Sequence, residues 1–291
     1  MLIESRPIKL TTRTGIEVNR TIPHRALKTI GAWCFVDHFG PTKQTDGMVV
    51  ASHPHTGLQT ATWLFEGEIE HRDSIGTIQM IHPGQLNLMT AGAGISHSEL
   101  SIASTENLHA VQLWIALPKE SLDIAPAFEH FDQLPTLEAA GFMAKVLIGE
   151  FQGVSSPATA FTPIVGLELR LEPGTHSIPV KYNFEHGLIL VSGDAEIEGQ
   201  EIEVSSLFYS QSGQESIEVT TKTGATLMLI GGEPFGEKIV MWWNFIGRTH
   251  QDIALAREQW NQRDTRFGEF EDRIGGWIPA PDLPNVTLQP R

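Results

Sequence analysis

The chain has 291 residues, and its 20 Lys and Arg against 35 Asp and Glu leave a net charge of −15. That balance repels phosphate backbones and argues against direct nucleic-acid binding, while the length exceeds what a single hydrophobic core supports, so two domains are expected. The one cysteine, Cys34 in the apolar run AWCFV, rules out an intrachain disulfide and reads as a small buried hydrophobe. The start MLIESRPIKL lacks an apolar signal core and no later apolar run approaches membrane-spanning length, so the expected compartment is the cytoplasm, with no membrane partner.

Residues 1–50 read as strands and loops leading into a first barrel. Asp37-His38-Phe39-Gly40-Pro41 reads as a turn, which gives Asp37 and His38 structural roles. The stretch from His53 to Glu99 opens with His-x-His (His53, His55) and closes with His-x-Glu (His97, Glu99). Residues two apart on a strand share a face, so each pair, if extended, delivers two ligand groups into one interior. Three imidazoles and a carboxylate suit iron, copper, nickel, manganese or zinc. Turn signals at Glu66-Gly67, Asp73-Ser74-Ile75-Gly76 and His82-Pro83-Gly84 divide the stretch into strands. His71 and His82 fall beside such turns and read as solvated. Gln59 and Trp63 continue the parity of His53 and His55 and are expected to line a substrate pocket beside the metal, with the Gly92 to Gly94 loop as part of its wall. Ser96, His97 and Glu99 do not make a hydrolase triad, because His97 and Glu99 share one face of one short segment.

The runs HPHTGLQTATWLFEGEIEHRDSIG and HPGQLNLMTAGAGISHSE, with GAWCFVDHFGP upstream and LWIALP and LIGGEPFGEKIV downstream, resemble the pirin family of the cupin superfamily. That resemblance spans almost the whole chain. It implies an all-β protein of two tandem cupin barrels, antiparallel β-sandwich or jelly-roll in form, followed by a short C-terminal helix. It also implies a metal, usually Fe(II), on His53, His55, His97 and Glu99, with Zn, Mn, Ni and Cu as alternatives. The implied activity is that of a quercetin 2,3-dioxygenase, taking a small aromatic dihydroxy substrate and dioxygen, with Glu99 doubling as the base that receives the substrate proton. The rival role is a metal-containing regulatory module that binds a protein partner without catalysis. Gln59 stands where relatives commonly carry Glu, and Thr56 where they carry Arg.

Past the strand candidate His109 to Pro118, the stretch Lys119 to Ala140 gains acids and prolines and reads as the crossing to a second domain, with a short helical turn at Thr136 to Ala140. The expected division is 1–130 for the metal-binding barrel, 131–235 for a metal-free barrel, and 236–291 for a tail packed across both. Gly193-Asp194-Ala195-Glu196-Ile197-Glu198 echoes Gly67-Glu68-Ile69-Glu70, the mark of an internal duplication. Aligning Gly193 with Gly67 sets Pro179 and Lys181 opposite His53 and His55 and, more loosely, Thr223 and Ala225 opposite His97 and Glu99. His176, Glu185 and His186 do not repeat the paired spacing. Thr249 and Asp252 suit a capping box, with Ile253, Ala256 and Trp260 as the apolar stripe of a helix. Trp277, in a Pro-rich coil, is ordered only if it finds a pocket.

Overall fold

Alternating apolar and polar residues, punctuated by Gly and Pro, run through nearly the whole chain, and 54% of it is strand against 7% helix. The computed structural model describes residues 1–10, 17–43, 47–101, 107–270 and 276–291. It divides into two compact units, one of Lys9–Glu17, Phe39–His130 and Gly236–Arg291, the other of Met1–Ile8, Val18–His38 and Phe131–Phe235. Val18–His38 thus groups with the later barrel and not with the first. Its ties explain this: the Trp33 indole donates to the carbonyls of Val165 (3.2 Å) and Gly231 (3.1 Å), and the Gly31 amide donates to Glu185 Oε2 (2.8 Å).

The first barrel is built from strands β1 (Val49–His55), β2 (Leu58–Glu66), β3 (Ile69–Asp73), β4 (Ile78–Ile81), β5 (Leu86–Thr90), β6 (Ile95–Ser101), β7 (Asn107–Ala116) and β8 (Ala127–Phe131). One antiparallel sheet runs β1-β6-β3-β4, and the other contains the run β8-β5-β2-β7. The second barrel repeats the plan with β9 (Gly174–Pro179), β10 (Glu185–Gly193), β11 (Ala195–Ile197), β12 (Gln200–Ile202), β13 (Leu207–Ser210), β14 (Ser216–Thr221) and β15 (Ala225–Gly232). Its sheets run β9-β14-β11-β12 and β13-β10-β15, the same orders strand for strand. Leu167, Leu169, Leu188, Leu190, Ile217 and Leu227 fill the core of the second barrel.

Two local expectations are corrected. Asp37 and His38 lie in the strand Trp33–Lys43 and not in a turn: Arg20 forms a two-pronged bridge to Asp37, 2.7 Å on each arm, and His38 Nδ1 meets Ser205 Oγ at 2.6 Å. Thr136–Ala139 is a strand paired with Phe142–Phe151 and not a helical turn. The helix α1 (His250–Asn261) does start at Thr249, whose side chain accepts from the Asp252 amide while the Asp252 carboxylate accepts from the Thr249 amide. Its buried face is Ile253, Ala256 and Trp260, and Trp277 finds a place stacked on Trp260 at 5.5 Å between ring centroids.

Candidate metal centre

Strands β1 and β6 are antiparallel neighbours with His53 opposite His97 and His55 opposite Ile95. Cross-strand partners point to the same side, and so do residues two apart, so all three imidazoles face one way. Their ring centroids lie 4.2 Å (His53 to His97), 5.0 Å (His55 to His97) and 5.1 Å (His53 to His55) apart. Pro54 is tolerated between two of them because β1 is the edge of its sheet. A bulge separates His97 from Glu99, which sits opposite Val50. On the other side of β6, Asp73 of β3 faces His97 and His71 faces Glu99.

These pairings bring His71 into the site. It is 4% exposed, its ring centroid is 5.1 Å from that of His97, and its Nε2 lies 3.0 Å from Asp73 Oδ2. The expectation of a solvated His71 fails because the Asp73 turn begins after the strand, so His71 still points inward. His82 behaves as expected: it is about half exposed and lies beside Glu68. Two donor groups therefore meet within 4.8 Å, His53 with His55 and His97, and His71 with His97 and Glu99.

The facing sheet supplies the opposite wall, and contacts from three of its strands fix which face that is. Trp114 of β7 packs edge-on to His55 at 5.1 Å, Phe128 of β8 stacks on His71 at 4.6 Å, and Met89 of β5 clusters with Ile95 of β6. Thr60 is the direct partner of both Trp114 and Met89, so Thr60 and Thr62 share the inward face. Gln59 and Trp63 have the opposite parity and point away from the imidazoles. Both are fully buried on that reverse side, where the Gln59 amide donates to Thr90 Oγ1 at 3.0 Å. The parity argument breaks at Gly57, whose φ of +70° turns the chain from one sheet to the other. In place of Gln59 and Trp63, the inward polar groups are Thr62, which donates to Gln112 Oε1 at 2.9 Å, and Asn87, which accepts from His130 at 2.7 Å. The Gly92 to Gly94 loop is not free to meet a ligand either: a Cβ on Gly92 would lie 2.1 Å from the Ile124 carbonyl, and one on Gly94 3.0 Å from that of Arg266.

Electrostatically, burial favours the uncharged form of the three imidazoles, the form that binds a cation. Burial pushes His53 down to about 4 and holds His55 and His97 well below the ordinary histidine value. Glu99 is pushed up by burial, with His71 pulling the other way. Burial also acts to raise Asp73, but the bond from His71 and the Thr77 amide outweigh it and leave the carboxyl below its usual value. His97 Nε2 is buried without a hydrogen-bond partner, and His53 Nδ1 donates to the Ala51 carbonyl at 2.9 Å, which leaves the His53 Nε2 lone pair open. A buried nitrogen lone pair with no donor costs free energy unless something electrophilic meets it, so the residues present fit a divalent metal.

The second barrel lacks that set. Ile197 of β11 faces Val219 as His71 of β3 faces Glu99, and Ile178 faces Ile217, so Ile217 and Val219 take the places of His97 and Glu99 and Ile178 that of His53; the alignments with Pro179 and Lys181 and with Thr223 and Ala225 are corrected. Ala225 begins β15, and Thr223 lies between the two strands. Among the described residues, the metal-capable groups both lie in the first barrel.

A duplicated all-β sandwich with a histidine-rich centre in one half defines a bicupin. Family models match on both halves, Pirin over residues 15–115 and the Pirin C-terminal cupin domain over residues 166–268, and the chain belongs to the pirin family. A Pseudomonas aeruginosa protein named "Putative quercetin 2,3-dioxygenase" is 42% identical over 93% of this chain and 87% of its own length. Human pirin is 30% identical over 83% of this chain and 85% of its own. The crystal structure of a quercetin 2,3-dioxygenase from Acinetobacter baumannii covers 100% of this chain and 97% of its own at a TM-score of 0.95 and 41% identity. The family and the donor set together support a divalent metal. No helix among the described residues is long and apolar enough to cross a membrane.

Proposed function

We propose that this protein is a metal-dependent dioxygenase that opens a flavonol such as quercetin at its 2,3 bond, with Fe(II) held by His53, His55, His97 and Glu99. The observation that carries the reading is the convergence of three buried imidazoles, ring centroids 4.2 to 5.1 Å apart, facing an aromatic and thioether wall. The wall is Trp114, Met89 and Phe128, and its polar groups are Thr60, Thr62 and Gln112. The iron supplies redox chemistry toward dioxygen that no side chain can. The protein residues supply the rest. The aromatic and thioether surface holds the rings, the threonines and Gln112 meet the hydroxyls, and Glu99 takes the proton from the hydroxyl that enters the site. A cytoplasmic setting goes with this reading.

The test is oxygen uptake by iron-loaded protein with simultaneous loss of flavonol absorbance. Uptake with quercetin that falls at least about a hundredfold in Glu99→Gln, where that variant still holds iron, is the expected result. Iron-loaded protein that consumes no oxygen with any flavonol or catechol sinks the enzyme reading and favours the regulatory module acting on a protein partner.

A further inference from the structure

We propose that His71 and Asp73 are positioning residues that fix the tautomer of His97, so that its Nε2 lone pair faces the metal before any metal arrives. The inference rests on the metal-holding part of the proposed function and is independent of the substrate.

The argument starts at the turn after β3. Asp73 Oδ1 accepts from the amides of Ile75 (3.1 Å) and Thr77 (2.9 Å), which pins the carboxylate and leaves Oδ2 to meet His71 Nε2 at 3.0 Å. An ionised carboxylate can only accept, so His71 carries a proton on Nε2, and in the neutral ring its Nδ1 carries the lone pair. Phe128, stacked 4.6 Å away with planes 26° apart, keeps the ring from turning. His71 Nδ1 lies 3.4 Å from His97 Nδ1. Two facing nitrogens satisfy each other only when one holds a proton and the other does not. His97 therefore carries its proton on Nδ1, and the nitrogen left with a lone pair is Nε2, the buried atom with no partner.

His53 reaches the same end by a simpler route, through the Ala51 carbonyl. A metal-bound histidine ordinarily gives its second N–H to a carboxylate or carbonyl, which sets orientation and raises ligand basicity. Here the carboxylate acts through an intervening imidazole. A ladder of β6 and β3 residues thus runs from the turn at the end of β3 to the metal position. The competing use of these groups is direct ligation, since His71, His97 and Glu99 could themselves share an ion.

Nitrogen NMR of protein with labelled histidine, recorded metal-free and zinc-loaded, separates these cases without any substitution. The expected spectra show His71 protonated on Nε2 and His97 on Nδ1 in both states, with zinc at His97 Nε2. A His71 proton on Nδ1, or zinc on His71, overturns the proposal. Two variants supply an independent reading through cobalt affinity, measured by chelator competition, and through the visible cobalt spectrum. His71→Phe keeps ring volume but removes both nitrogens, and about a tenfold or greater loss of affinity with an altered spectrum is expected. His71→Gln can still donate to Asp73 and accept from His97, and is expected to stay within about threefold of wild type. A Phe variant that binds like wild type, or a Gln variant that falls as far as the Phe variant, counts against the idea. Should wild-type protein take up neither zinc nor cobalt, the metal assignment itself fails, and the metal-free spectrum still decides the tautomers.

Discussion

A free histidine titrates near pH ~6.5, and ligation needs the neutral ring, so the sequence alone places metal release just below that value. Burial changes the window. Because His53 is depressed to about 4 and His55 and His97 also lie well below 6.5, their neutral forms persist as pH falls through the ordinary histidine range. Bound metal should survive dialysis at pH 6 and 5 and be lost as pH approaches 4; release centred on pH ~6.5 would mean the rings titrate as if in water. The ligand candidates were legible because their spacing of two is a strand signature that needs no partner. Parity counted from His53 and His55 misplaces Gln59 and Trp63 because Gly57 resets it, and a positive φ leaves no mark beyond the glycine itself. His71 was hidden by its closeness to a turn signal; the clue available was that His71 and Asp73 are also two apart.

Among the elements, α1 shows how a local signal becomes a tertiary support. Its capping box was readable because every partner lies within four residues, whereas the strand Thr136–Ala139 depends on pairing with Phe142–Phe151 and offers no local sign. Beyond the helix, the Ser96 hydroxyl donates to the Phe267 carbonyl at 3.0 Å and the Ile278 amide donates to the Ser52 carbonyl at 2.9 Å. Ser52 and Ser96 alternate with the histidines, so the tail covers the outer face of β1 and β6 while the imidazoles occupy the inner one. A cavity of about 260 Å³ remains between that outer face and Trp260 and Trp277. Thr249→Ala removes the cap and should cost about 1 kcal/mol, a fall in Tm of about 2–4 °C, with metal content unchanged. Differential scanning calorimetry beside metal analysis checks both; a variant that unfolds like wild type would show that packing of Ile253, and not the cap, sets the helix start.

At the scale of the whole molecule, the duplication explains what each barrel can do. Counting back from Gly67 and Gly193, Thr60 and His186 coincide, and both β2 and β10 carry a bulge at the same place against their neighbours. The echo is legible where lengths match and fails at β9 and β14, because the connections between strands differ. His186 is 1% exposed and burial pushes it down to about 4, so the unfolded chain binds its proton first as pH falls. Its contribution is full above pH ~6.5 and is lost progressively toward pH ~4, by up to about 3 kcal/mol, and His186→Leu should flatten that part of a plot of stability against pH. The duplication also sets stoichiometry. The inward positions that hold His53, His55, His97 and Glu99 in the first barrel hold Ile178, Val180, Ile217 and Val219 in the second, an aliphatic set with no ligand atom. Protein purified without added metal and then saturated should therefore carry one divalent ion per chain, and His55→Ala, with the second barrel intact, should carry essentially none. Two equivalents in the wild type, or a full equivalent remaining in His55→Ala, would show that the second barrel still binds metal through groups other than these four.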